Sequence, residues 1–273
     1  MRLFVLLGDP IKQARLPDLF NDRAREAGLD SLMVMTRCRA DSLPDVVAGL
    51  SGTEQVAGIV VTVPHKVNVA GMCDSLGPAA EACGSVNVVR RTESGGWHGD
   101  NVDGLGFVAG LRARHRLPDR PRVDIIGGGG AGVAIAFALH AQGAEVRIGE
   151  IDADRRAAVT SLLGAAGTEV QVLDRVDGHA CDLVVNATPL GLSPDDPLPL
   201  DLSRTSPAPG AVIADIVMDP TRTAWLEHAE RLGHATHEGR HMLAAQLEPM
   251  LDFFGETRPR STGRGTAVPL SGV

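Results

Sequence analysis

A chain of 273 residues, 44% hydrophobic and 22% charged, has apolar content for one large domain or two moderate ones. Its net charge of −8, with no dense basic cluster, excludes a protein that tracks a nucleic-acid backbone. No apolar run reaches the roughly 18 residues of a membrane span.

In chain order, Leu3 to Leu7 reads as a strand, because Gly8-Asp9-Pro10 interrupts the apolar run too early for a signal peptide. Helical spacing follows over Pro17 to Ala27, then a strand over Ser31 to Met35 and a helix over Ala40 to Leu50. Val56 to Val63 is a near-continuous apolar run, the pattern of a parallel strand buried on both faces. Short strands are predicted at Ser85 to Arg90 and Gly96 to Gly99, and an amphipathic helix at Gly104 to Arg114. Leu117 to Pro121 reads as a linker. Beyond it the strand–helix rhythm is cleaner: Val123 to Ile126, a helix over Ala131 to Gln142, then strands at Glu145 to Ile148, Glu169 to Leu173, Leu183 to Asn186 and Val212 to Ile216. Glu238 to Phe254 is helical again. The fold class is therefore α/β: an N-terminal α/β domain plus a Rossmann-type doubly wound parallel sheet. The expected boundaries are residues 1–103 with 238–255, residues 104–237, and a flexible tail over 256–273, rich in Gly, Pro, Ser, Thr and Arg.

The four cysteines, Cys38, Cys73, Cys83 and Cys181, show no CxxC spacing. They read as free thiols of a cytoplasmic protein, and no metal site is expected. His234, His237 and His241 have no zinc-protease pattern and read as cap or hinge contacts.

Three short segments carry the chemistry. Gly127-Gly128-Gly129-Gly130-Ala131-Gly132 lies between an apolar strand and an apolar helix. Gly127, Gly129 and Gly132 fit G-x-G-x-x-G: a tight turn, a close backbone approach to a pyrophosphate, and close helix–strand packing. Gly130 and Ala131 open the helix whose N-terminal amides face the anion. Glu150 ends the next strand, about 20 residues on, where a carboxylate accepts from the ribose hydroxyls and repels a 2′-phosphate. That favours NAD, while Arg155 and Arg156 nearby keep NADP in view. Val61-Thr62-Val63-Pro64-His65-Lys66 ends a buried strand in a proline turn and presents a lysine. Gly99-Asp100-Asn101-Val102-Asp103-Gly104 is a polar loop bounded by glycines. An alcohol dehydrogenase needs a group to take the hydroxyl proton as hydride leaves, and Lys66 held by Asp103 can do this.

With these motifs in order, and with Gly8-Asp9-Pro10-Ile11, Gly84-Ser85-Val86-Asn87, Asn186-Ala187-Thr188-Pro189-Leu190-Gly191 and Met242-Leu243-Ala244-Ala245-Gln246, the chain resembles the shikimate/quinate dehydrogenase family from Gly8 to about Gln246. The resemblance implies a two-domain NAD(P)-dependent enzyme with its active site in the cleft. It implies Lys66 and Asp103 as the catalytic pair, Asn87, Asp103, Thr62 and Gln246 as substrate contacts, and Asn186, Ala187 and Thr188 along the cofactor. The substrate would be shikimate, quinate or a related cyclic polyol acid, and the enzyme a monomer or homodimer with no nucleic-acid or membrane partner.

The chain departs from the family where relatives carry Ser-x-Ser for the substrate carboxylate: it has Ala14 and Leu16. Arg15 between them is the candidate replacement, with Lys12 behind it. Met218 stands where relatives carry a tyrosine, and it is grouped with the cofactor residues; Val60 replaces an asparagine. These changes point to a divergent branch with an altered pocket. A different class, a weakly catalytic regulator that binds cofactor or metabolite on the same scaffold, is favoured by Ala14/Leu16 and opposed by the retained Lys66, Asp103, Asn87 and Gln246.

Overall fold

The computed structural model describes residues 1–11 and 14–256. Lys12 and all but the first residue of the expected tail lie outside the described residues. In chain order the elements are β1 (Arg2–Gly8), α1 (Leu16–Ala27), β2 (Ser31–Arg37), α2 (Leu43–Ser51), β3 (Val56–Val61), α3 (Lys66–Ala70), β4 (Ser75–Leu76), α4 (Pro78–Cys83), β5 (Val88–Arg91), β6 (Trp97–Asp100) and α5 (Asp103–Arg112). Then come β7 (Arg122–Ile126), α6 (Gly130–His140), β8 (Glu145–Gly149), α7 (Ala153–Ala165), β9 (Gln171–Leu173), β10 (Leu183–Asn186), β11 (Val212–Asp215), α8 (Ala224–Arg231), β12 (Ala235–His237) and α9 (Arg240–Phe254).

These strands form two six-stranded sheets. The first runs β2-β1-β3-β5-β6-β4. Its β2-β1-β3 part is parallel, and β5 pairs antiparallel with both β3 and β6. The second runs β12-β11-β10-β7-β8-β9, parallel throughout. Counted from β7, that is the 3-2-1-4-5-6 order of a Rossmann sheet, whose order reverses between β7 and β10 and opens a crevice at the strand C-termini.

Apolar faces fix which helix covers which sheet. On one face of the first sheet, Phe4 and Leu6 pack with Phe20 of α1 and Met250, Leu251 and Phe254 of α9. On the other, Val5, Leu7, Ile59 and Val61 pack with Leu43 and Val47 of α2. So the last helix returns to the first sheet. In the second sheet, Ile125, Ile148 and Val185 meet Val133, Ile135 and Ala136 of α6, and Phe107, Val108 and Leu111 of α5 join them. Trp225 and Leu226 of α8 cover the opposite face with Val184 and Ile213. Among the described residues no helix is long and apolar enough to cross a membrane.

Three expectations need correction. The strand expected through Val63 ends at Val61, because the backbone turns there: His65 N–H donates to Thr62 O at 3.0 Å. The strand expected from Ser85 begins at Val88. Asp103, expected in a loop, is the first residue of α5, and Lys66 is the first residue of α3.

Candidate active site

Lys66 is set by its turn. His65, fully buried, donates from Nε2 to the Cys38 carbonyl at 2.6 Å, and Val86 N–H donates to the Lys66 carbonyl at 3.0 Å. From there Lys66 Nζ donates to Asp103 Oδ2 at 2.6 Å. Asp103 is buried, and its Oδ1 accepts from Asn87 Nδ2 at 2.7 Å and from Gln246 Nε2 at 2.5 Å. Asn87 in turn accepts the Val102 amide at 2.9 Å. Residues from α3, α5, α9 and the approach to β5 thus converge on one carboxylate. A carboxylate offers about four lone-pair positions and an ammonium three N–H groups. Three acceptor positions are filled here. One remains, beside two free N–H groups of Lys66: a hydroxyl can use both, and a ketone oxygen can use the N–H groups alone.

These side chains line one end of a cavity of about 230 Å³. Thr62 lies beside them. Ala14, Arg15 and Leu16 line it from the start of α1, and Leu243 and Met250 from the face of α9 that also carries Gln246. Met218 lines this same cavity. Arg15 is exposed at the N-terminal end of α1, and its guanidinium has no hydrogen-bond or ion-pair partner among the described residues.

The glycine loop forms the other half. Gly127 has φ +104, a conformation that disfavours any side chain, and a Cβ there would meet Thr188 Cγ2 at 2.8 Å and Ala187 O at 3.0 Å. A Cβ on Gly132 would meet Gly127 O at 2.1 Å. The loop is therefore packed against the 186–191 turn at the sheet's order reversal. Gly129 faces open space, and no side chain caps α6, so its first amides remain available to an anion. Asn186 is buried and shapes the turn: Nδ2 donates to Leu190 O at 2.9 Å and Asp215 Oδ1 at 3.1 Å, while Oδ1 accepts from Thr188 Oγ1 at 2.7 Å. Glu150, 5% exposed, accepts the Gly128 amide on Oε2 at 3.0 Å and the Asp152 amide on Oε1 at 2.9 Å. Arg155 stands 3.8 Å from its carboxylate, and Arg156 donates to its backbone oxygen at 2.7 Å. A cradle with open amides and a buried carboxylate at the end of the next strand fits a dinucleotide.

Close backbone approach joins the halves. A Cβ on Gly104 would lie 2.1 Å from Ala134 O of α6, and one on Gly106 2.8 Å from Gln246 Cβ of α9. Asp103, one residue earlier, is thereby held where α5, α6 and α9 meet. Asn101 adds a buried link that the sequence reading left without a role. Its Oδ1 accepts the Asp103 amide at 3.0 Å, and its Nδ2 donates to Ser85 Oγ at 3.2 Å. Ser85 Oγ in turn lies 3.0 Å from where a Cβ on Gly130 would be. Burial pushes the neighbouring Cys83 thiol up, so it stays protonated and offers no nucleophile. Leu243 and Met250 were also missed, though their spacing around Gln246, three before and four after, marks one helix face.

A Rossmann crevice with an open anion cradle, facing a lysine–aspartate pair over a small cavity, defines an NAD(P)-dependent dehydrogenase. Comparison with known proteins supplies the family. The model for the shikimate dehydrogenase substrate binding domain matches residues 6–89. The shikimate dehydrogenase (NADP(+)) of Acidiphilium cryptum is 35% identical over 258 residues, covering 94% of this chain and 91% of that protein. Among solved structures, the ligand-free 5-ketofructose reductase of Gluconobacter sp. is 28% identical with a TM-score of 0.81, covering 94% of this chain and 93% of that one. Shikimate 5-dehydrogenase from Thermus thermophilus, in complex with NADP(H) and shikimate, is 27% identical with a TM-score of 0.81, covering 95% of each chain. The chain belongs to the shikimate/quinate dehydrogenase family.

Proposed function

We propose that the protein moves a hydride between a nicotinamide dinucleotide and a ring carbon of shikimate, quinate or a related cyclic polyol. Residues 1–103 with 238–255 form the substrate side in this reading and residues 104–237 the cofactor side. The observation that carries it is the 2.6 Å contact between Lys66 Nζ and Asp103 Oδ2.

The bound cofactor supplies or accepts the hydride. Lys66 handles the proton. Toward alcohol, its ammonium gives a proton to the ketone oxygen as hydride arrives at the carbon. Toward ketone, its amine takes the hydroxyl proton as hydride leaves. Asp103 keeps Nζ aimed into the cavity and accepts from a second, neighbouring hydroxyl. Gln246 and Asn87 fix the Asp103 carboxylate, and Thr62 adds a hydroxyl contact at the same end. Arg15 at the rim is the group that an acidic substituent would meet. Met218, which lines the same cavity, would meet the cofactor in this reading.

Gly127, Gly129, Gly130, Ala131 and Gly132 would hold the pyrophosphate, with Ala187 and Thr188 along the nicotinamide end and Asn186 shaping their turn. Glu150 supports NAD as the preferred cofactor. Its carboxylate lies under the loop, and Arg156 is already engaged by the Glu150 carbonyl. The direct test is reduced-nicotinamide absorbance with shikimate and quinate, each with NAD and NADP. NAD-linked turnover that is abolished by Lys66→Ala supports the reading. Activity that survives Lys66→Ala counts against it.

A further inference from the structure

The charges of this cavity cancel at its polar end, where one ammonium faces one carboxylate and two amides bind that carboxylate. Thr62 adds a single hydroxyl. Away from that end the lining is hydrocarbon: Ile11, Ala14, Leu16, Val60, Leu243 and Met250. Ile11, Leu16, Val60 and Met250 are buried and continuous with the apolar core under the first sheet, so this wall has no water behind it. An ionised carboxylate laid on it would lose its hydration and meet no buried side-chain donor there among the described residues, a costly case of polar burial. Arg15 is the one other cation among the described lining residues, and it stands in solvent at the rim. An ion pair made there strengthens binding only about fivefold or less.

We infer that the preferred substrate is uncharged: a polyol or hydroxyketone of about six carbons, with neighbouring oxygens on Lys66, Asp103 and Gln246 and its carbon face on Ala14, Leu16 and Ile11. This rests on the dehydrogenase reading above and narrows its substrate class. The size follows from the cavity, about 230 Å³, which is below the roughly 300–1,000 Å³ typical of sites for drug-sized ligands. The compound for which 5-ketofructose reductase is named is an uncharged ketone of this kind.

Shikimate and its methyl ester separate charge from shape, since they share the ring hydroxyls and differ by one negative charge. Steady-state kinetics on the full chain, with NAD and NADP, should give the ester a kcat/KM at least tenfold above the acid. 5-Ketofructose, run toward alcohol with reduced cofactor, should also turn over. An acid that equals or exceeds the ester overturns the inference and leaves the dehydrogenase reading standing. Turnover of none of the three with either cofactor overturns the dehydrogenase reading itself.

Discussion

Asp103 is a carboxylate with three of its acceptor positions taken and Lys66 an ammonium with one of its donors used, so the pair is held firmly and still has capacity for a substrate oxygen. This separates positioning from chemistry. Lys66→Met keeps the side-chain bulk and removes the proton carrier. It should lower kcat by about 10²- to 10⁴-fold, the usual share of general acid–base catalysis, with little change in the cofactor dissociation constant measured by fluorescence titration. A variant that lost both equally would place Lys66 in cofactor binding instead. At the other end of the crevice, Glu150→Gln keeps an acceptor for the Gly128 amide and removes the negative charge. A 2′-phosphate is then no longer repelled, and the ratio of kcat/KM for NADP to that for NAD should rise about tenfold or more, which is about 1.4 kcal/mol. An unchanged ratio would show that the ribose lies elsewhere.

At the scale of elements, α5 does the positioning, because two of its neighbours approach it backbone to backbone. Gly104→Ala would set a Cβ 2.1 Å from the Ala134 carbonyl oxygen, and neither is a flexible side-chain end that can swing aside. One helix must move, at a cost of about 1–3 kcal/mol, and Asp103 moves with it. Calorimetry should show a lowered Tm, and kinetics a larger fall in kcat than Tm alone explains. An unaltered Tm would mean the contact is loose. The sequence marks some of this architecture well. Strand β10 is apolar from Leu183 to Val185, as a parallel strand covered on both faces must be, while β7 and β8 break that pattern with Asp124 and Arg147, which pair with each other at 2.7 Å. The short helices α3 and α4, five and six residues long, are too brief to show a helical period, so they are not marked. The catalytic pair was legible for a different reason, since Lys66 and Asp103 each sit in a dense local motif. Two of the buried groups that steady Asp103 were legible unequally. Gln246 is 143 positions away and came only through family resemblance, and the Asn101–Ser85 link depends on a packing contact that no spacing encodes. The apolar wall around Ala14 and Leu16 was foreshadowed by the missing serines, but its closure by Leu243 and Met250 needed the docking of α9.

At the scale of the whole molecule, the two sheets are joined by α5 and α9, and a histidine cluster is buried in that joint. His237, 1% exposed at the end of β12, has its ring 5.3 Å from that of His115, 5.1 Å from His241 and 5.7 Å from Phe107. His234, His237 and His241 were read from the sequence as cap or hinge contacts. His115, more than a hundred residues away, joins only because α5 packs beside α9. Neither nitrogen of His237 has a hydrogen-bond partner among the described residues. Burial, and after it the charges of His115, His241 and Arg114, push its pKa down to about 3. His115 and His241 are shifted the same way, each chiefly by burial. The unfolded chain takes up a proton on His237 near pH 6.5, and the folded chain does not until about 3. Stability from this group is therefore complete above pH 6.5 and is lost as pH falls between those values, by about 2 kcal/mol at pH 5. His237→Leu removes the titration and keeps an apolar side chain in the joint. Urea midpoints between pH 7.5 and 5 should decline for the natural chain and decline less for the variant. Parallel curves would mean that His237 finds a proton acceptor in the folded joint. Carboxylates elsewhere titrate alike in both proteins, so the difference between the two curves isolates the histidine.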